Sequence, residues 1–243
     1  MTVAELWPHP GPAADLDLRY PRDPRPTLRV NFVSSIDGAV TLDGVSGGLS
    51  GPGDKEIFVT LRKVCDALIV AAGTVRTERY DGLRLDPASR DWRRAHGLPE
   101  FPLMVVVSGS LDLDPAQLVF ADAPVRPVVV THAAAPARRR AALAEVAEIV
   151  TVGDDAVDLP AMVAALHARG ATQLLSEGGP RLLGALTAAG LVDEMCLTVS
   201  PLLAGGGGAG RISAGPAGAP RPMSLRHVLA DQDMLFLRYG RAG

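Results

Sequence analysis

Between residues 102 and 190 short apolar runs alternate with helix-length segments, and no other feature restricts the fold of this chain so strongly. PLMVVVSGS (102–110), RPVVVTH (126–132), EIVTVG (148–153) and ATQLLSEGG (171–179) read as strands. PARRRAALAEVA (136–147), LPAMVAALHARG (159–170) and PRLLGALTAAG (180–190) read as helices. The last two carry Pro in their first turn and stop on Gly, the usual helix punctuation. Strands and helices alternating at this spacing build βαβ units and a largely parallel sheet.

The pattern extends in both directions. LRVNFVSSI (28–36) is β-rich and ends at an Asp37-Gly38 turn. A glycine-rich stretch, GVSGGLSGPGD (44–54), follows. In KEIFVTLRKV (55–64), Ile57, Phe58, Leu61 and Val64 recur at helical spacing, with Pro52 and Asp54 as start signals. DALIVAAG (66–73) has the continuous apolar character of a strand buried on both faces. TVRTERY (74–80) leads out of it as a helical turn, and residues 81–100 read as a long loop. VDEMCLTVSPLLA (192–204) and RHVLADQDMLFLRYG (226–240) supply three strands with no helix between them, so this edge is expected to be antiparallel. Residues 1–27, with Pro at 8, 10, 12, 21, 24 and 26, read as an N-terminal surface arm, and 28–243 as a single domain. The expected class is α/β, a central mostly parallel sheet with helices on both faces.

Composition narrows the function. The 24 basic and 27 acidic residues leave a net charge of -3, against a nucleic-acid-binding protein. No apolar run is long enough to span a membrane, and MTVAELWPHP lacks the basic start and apolar core of a signal peptide. Cys65 and Cys196 each sit in apolar surroundings and read as reduced, buried thiols of a cytoplasmic protein.

Three glycine motifs compete for attention. GVSGG (44–48) fits the nucleophile elbow of serine hydrolases around Ser46, but that elbow needs a buried strand before it and a helix directly after. GGGGAG (205–210) fits a dinucleotide fingerprint, yet the following RISAGPAGAP cannot be the required helix. SEGGPRLLGAL (176–186) has the better context: an apolar strand, a Gly178-Gly179 turn, Pro180 at the first helical position, and Leu182, Leu183 and Leu186 facing a core. Unpartnered N–H groups and the helix dipole at such a start suit a pyrophosphate. A plain strand–helix turn would carry the same glycines. Strands ending at Gly73, Ser108 and Glu177 could line one crevice beyond their carboxyl ends.

The chain resembles the reductase domain of the bifunctional deaminase-reductases of riboflavin biosynthesis. The resemblance spans residues 28–240 and rests on NFVSSIDGAV, SGGLSGPGD, LRKVCDALIVAAGTV, VVVS, LLSEGGPRLLGAL and LVDEMCLTVSPLLAGG in order. It implies a dihydrofolate-reductase-like fold, a homodimer, and NADPH-dependent hydride transfer to the sugar C1 of a ribosylaminopyrimidine phosphate. By matching position it implies cofactor contacts at Val33, Gly48, Thr74, Glu78, Ser108, Gly178, Gly179, Pro180, Arg181 and Leu182. It implies substrate contacts at Asn31, Ser46, Arg62, Arg84 and Glu177. No metal is expected. An anionic sugar phosphate wants Arg, and Arg62 sits on a helix that can hold it. The nitrogen leaving the sugar carbon is expected to need a proton, from Asp37 or Glu177, directly or through water. Two departures stand out. Asn31 replaces the Lys usual in the riboflavin enzymes, and the H-x-E with P-C-x-x-C of a zinc deaminase is missing. Reduction of dihydrofolate or another pterin-like ring, and a non-catalytic NADPH-binding protein, therefore remain open.

Overall fold

The computed structural model describes residues 2–78, 80–205, 210–215 and 219–242. Strands are β1 (Ala4–Trp7), β2 (Thr27–Ser35), β3 (Ala67–Ala71), β4 (Leu103–Val107), β5 (Val128–Thr131), β6 (Glu148–Thr151), β7 (Gln173–Gly178), β8 (Glu194–Ser200), β9 (Met223–Asp231) and β10 (Met234–Arg241). Helices are α1 (Leu16–Arg19), α2 (Pro52–Val64), α3 (Ala72–Thr77), α4 (Pro87–Ala95), α5 (Leu118–Ala121), α6 (Ala137–Ala144), α7 (Leu159–Ala168) and α8 (Pro180–Ala188).

All ten strands form one sheet, in the order β1-β9-β10-β8-β2-β7-β3-β4-β5-β6. From β8 to β6 every neighbouring pair is parallel. At the other edge β8, β10, β9 and β1 pair antiparallel. The expected α/β class, with its antiparallel C-terminal edge, is the one observed. Period-2 alternation divides the core between two faces. Leu68 and Val70 pack with Ile57 and Leu61 of α2 and Leu143 of α6. Ala67 and Ile69 point the other way, against Met162 and Leu166 of α7 and Leu182, Leu183 and Leu186 of α8. No helix among the described residues is long and apolar enough to cross a membrane.

Two segments differ from the sequence expectation. Residues 81–100 hold α4, not only a loop. Asp86 caps it by accepting the Ser89 N–H at 2.9 Å, and Pro87 stands in its first turn. Its inward residue is Arg93, which is fully buried, so no apolar period announces the helix. The Arg93 guanidinium donates to the carbonyls of Pro99 (2.6 Å), Lys63 (2.8 Å) and Cys65 (2.6 Å) and pins α4 to the end of α2. The first 27 residues are more than a surface arm. β1 extends the sheet beside β9 with a bulge between Glu5 and Trp7, and Val3 and Tyr20 enter the core. Buried Glu5 is paired by Arg19 of α1 at 2.5 Å. Four residues among prolines are too few to display a strand period.

Of the three glycine motifs, GVSGG leads into a three-residue 3₁₀ turn (Gly47–Leu49), and the preceding strand β2 ends at Ser35 instead of running into it, which removes the elbow geometry. Residues 206–209 of GGGGAG lie outside the described residues. SEGGPRLLGAL makes the strand–turn–helix unit expected of it, β7 into α8.

Candidate active site

A cavity of about 550 Å³ opens beyond the carboxyl ends of β2, β3 and β7. This is where parallel α/β sheets leave a crevice, because the loops there diverge to helices on opposite faces. Asn31, Phe32 and Val33 of β2 form one wall, and the Ser46–Gly47 loop with Ser50 faces them. Helix α2 presents Lys55, Phe58 and Arg62, spaced three and four apart and so on one stripe. Thr74 of α3, Glu78, Tyr80 and Asp81 form another side, and Glu177, Gly178, Gly179 and Pro180 close it.

The strongest electrostatic feature is a buried ion pair. Arg62 Nε donates to both oxygens of Glu177, at 2.9 and 3.2 Å, and its Nη2 donates to Oε2 at 2.6 Å. The Tyr80 hydroxyl donates to the same Oε2 at 2.7 Å. Only 2% of the Glu177 side chain and 13% of Arg62 reach solvent. Burial disfavours the charged guanidinium, but the Glu177 charge and the hydrogen bonds to it together outweigh burial and raise the Arg62 pKa above its ordinary value. Burial, then the adjacent Glu177 charge, push the Tyr80 phenol well above its ordinary value of 10. The guanidinium also lies over the Phe58 ring, 3.8 Å from its centroid, so it is held from two sides.

At the β7–α8 turn two glycines bring bare backbone to the cavity wall. Gly178 adopts φ +142°, a conformation closed to most side chains, and the Gly178–Gly179 peptide is cis. A Cβ on Gly179 would come within 2.8 Å of Thr74 Oγ1. Gly179 offers no side-chain cap to α8. The first N–H groups of the helix therefore stay available beside the cavity.

A family model, the RibD C-terminal domain, matches residues 26–236. The chain belongs to the RibD C-terminal domain family. The curated 2,5-diamino-6-ribosylamino-4(3H)-pyrimidinone 5′-phosphate reductase of Methanothermobacter thermautotrophicus is 32% identical over 185 residues, covering 75% of this chain and 81% of that protein. The protein of the same name from Archaeoglobus fulgidus is 31% identical over 186 residues, covering 75% and 83%. A solved pyrimidine reductase-like protein from Corynebacterium diphtheriae superposes with a TM-score of 0.78 at 27% identity, covering 95% and 96% of the two chains.

In this RibD C-terminal domain the cavity gathers Asn31, Val33, Ser46, Arg62, Thr74, Glu78, Glu177, Gly178, Gly179 and Pro180 from the residues singled out in the sequence. Asp37, Gly48, Arg84, Ser108, Arg181 and Leu182 do not line it. Asp37 accepts the Ser35 hydroxyl and the N–H groups of Ala204 (3.1 Å) and Gly205 (2.9 Å), pinning a loop. The Ser35 bond, then the Ala204 N–H, hold its carboxyl below its ordinary value, so it is a poor proton donor as well as a distant one. Arg84 is half-exposed and pairs with Asp122 at 2.8 Å. Ser108 is buried and its Oγ accepts the Leu111 N–H at 3.0 Å. Gly48 packs against Leu42, and its neighbour Gly47 takes the wall instead. The Arg181 side chain is exposed and Leu182 is in the core; what these two can offer an anion is their backbone N–H. Sequence reasoning missed Lys55, Phe58 and Tyr80. The i, i+3, i+7 stripe of Lys55, Phe58 and Arg62 was available as a signal. For Tyr80 there was none.

Proposed function

We propose that this protein is an NADPH-dependent reductase that delivers hydride to the sugar C1 of a ribosylaminopyrimidine phosphate. The observation that carries the reading is the Arg62–Glu177 pair, set in the cavity wall directly before the Gly178–Gly179 turn. It has the support of relatives named as reductases of 2,5-diamino-6-ribosylamino-4(3H)-pyrimidinone 5′-phosphate.

Bound NADPH supplies the hydride, and the protein's part is to hold both molecules and settle charge around them. The α8 N-terminus and the two glycines fit a pyrophosphate, with Thr74 against the turn. Lys55 and Arg62 give the opposite wall its cations for the substrate phosphate. Asn31, in place of a lysine, offers an amide donor and acceptor to the pyrimidine edge. The bond that breaks is the one between C1 and the ring oxygen. The ring oxygen therefore takes up the proton, not the nitrogen, which stays bonded in a ribitylamino product. Glu177, ion-paired with Arg62, acts as an acceptor that orients the substrate, and the proton reaches the ring oxygen from water in the cavity.

The protein works as a cytoplasmic homodimer in this reading. Its buried free thiols, Cys65 and Cys196, suit a reducing compartment. Leu197, Val199, Val228, Leu235 and Leu237 lie side by side on one face of the antiparallel edge and stay partly open to solvent. A second copy would cover them.

The test is NADPH consumption, followed optically with the ribosylaminopyrimidine phosphate as the added substrate. Turnover to the matched ribitylamino product supports the reading. NADPH binding without turnover removes this substrate and makes dihydrofolate the next one to try.

A further inference from the structure

Tyr80 has a divided environment. Its ring packs against the core on the α2 face of the sheet, and its N–H donates to the Val75 carbonyl at 3.3 Å. At the cavity wall the phenol oxygen donates to Glu177 Oε2, and the Arg62 guanidinium lies 5.4 Å from the ring centroid, a contact a phenylalanine ring would keep. A phenylalanine would satisfy every other demand at this position, so the hydroxyl needs its own explanation.

The pattern of donors on Glu177 supplies one. Oε2 receives Arg62 Nη2 at 2.6 Å, Arg62 Nε at 3.2 Å and the Tyr80 hydroxyl at 2.7 Å. Among the described residues, Oε1 receives only Arg62 Nε, at 2.9 Å. A carboxylate has about four lone-pair sites, two on each oxygen. Oε2 is thus fully engaged, and Oε1 keeps one acceptor position in a side chain that lines the cavity. Arg62 by itself can grip a carboxylate side-on or end-on, and the carboxylate can turn between the two. A third donor, from a different segment, removes that freedom.

We infer that Tyr80 is a positioning residue: its hydroxyl locks the Glu177 carboxylate so that the free acceptor position on Oε1 meets a hydroxyl or amino hydrogen of the sugar-aminopyrimidine substrate. This deepens the reductase reading and rests on it. Tyr80 does not itself give up a proton in this role; it stays a neutral donor to Glu177 throughout.

The test compares wild type, Tyr80→Phe, Glu177→Gln and the double variant. Readouts are kcat and KM for 2,5-diamino-6-ribosylamino-4(3H)-pyrimidinone 5′-phosphate, the Kd of the ribitylamino product, the Kd of NADPH, and the urea midpoint. Tyr80→Phe should lower kcat/KM about tenfold or more, the scale of one hydrogen bond to a charged group. NADPH affinity and the urea midpoint should stay near wild type. In the Glu177→Gln background, the same change should alter product Kd less than about twofold, because the charged carboxylate with its two acceptor oxygens is gone. An unchanged kcat/KM in Tyr80→Phe overturns the inference, as does an equal loss in both backgrounds. Wild-type protein that binds NADPH but neither turns over nor binds the pyrimidine overturns the reductase reading instead. In that event crystal structures of wild type and Tyr80→Phe decide on geometry alone: a turned Glu177 carboxylate upholds the positioning role, and an unmoved one ends it.

Discussion

Arg62 and Glu177 have left water together, and each is tolerable in its place only because of the other. Removing one partner strands a buried charge, which typically costs about 3–5 kcal/mol. Arg62→Ala should therefore lower the unfolding free energy by about that amount, measured by urea denaturation, and abolish turnover. Pairing it with Glu177→Gln should restore much of the stability and none of the activity. Recovery of activity by the pair would contradict a substrate role for either side chain. The same logic applies to Arg93, whose guanidinium satisfies three carbonyls at the α2–α4 junction. Arg93→Met keeps the volume but leaves those acceptors unpaired, so the urea midpoint should fall by the equivalent of ~3 kcal/mol.

At the scale of elements, the β7–α8 turn decides what the cavity can hold. Both glycines lean on Thr74 of α3, so the turn is packed tightly on one side and open on the other. Thr74 is short and branched and has little room to yield to an added Cβ 2.8 Å away. Gly179→Ala should push the turn into the cavity and weaken NADPH binding more than about tenfold, read by fluorescence titration, with the fold intact. Binding at wild-type strength would place the pyrophosphate elsewhere. Helix α4 makes a second point at this scale. It is attached through an arginine instead of an apolar stripe, which is why residues 81–100 read as loop in sequence.

For the molecule as a whole, the antiparallel edge and the N-terminal segment are packed together, β1 on β9 and Tyr20 on His227. His227 of β9 is buried edge-on against Tyr20, 4.9 Å between ring centroids, with Arg238 and Arg19 nearby and Glu194 and Arg29 behind. Burial, then the Arg238 and Arg19 charges, lower its pKa from 6.5 to about 4. The unfolded chain therefore takes up a proton between those values while the folded one does not. Stability should fall as pH drops from about 6.5 toward 4, and His227→Leu should flatten that part of the profile in urea titrations at several pH values. An unchanged slope would mean that His227 is not the group responsible. The homodimer proposed on the open apolar face of β8, β9 and β10 leads to another expectation. Leu237→Glu should shift the protein to monomers in sedimentation, at little cost in monomer stability; a dimer that survives would assign another surface.

The sequence by itself determined the α/β class, the order of most strands and helices, the antiparallel C-terminal edge and the β7–α8 turn. Those features are local: they rest on apolar period, helix caps and glycine punctuation within about fifteen residues. It also determined family, because ordered motifs over 28–240 carry more information than any one of them. Only the tertiary structure decided which motif residues meet. Glu177, Arg62 and Tyr80 are far apart in the chain and converge because β7, α2 and the segment after α3 end at one crevice. Asp37 and Ser108 belong to the same motifs and Arg84 to the segment between two of them, yet each turns to a partner outside the cavity. Side-chain direction is set by packing between elements, and no spacing along a single chain encodes it. That is also why β1 and α4 were hidden: one is recognised only by the strand beside it, the other only by the carbonyls its arginine reaches.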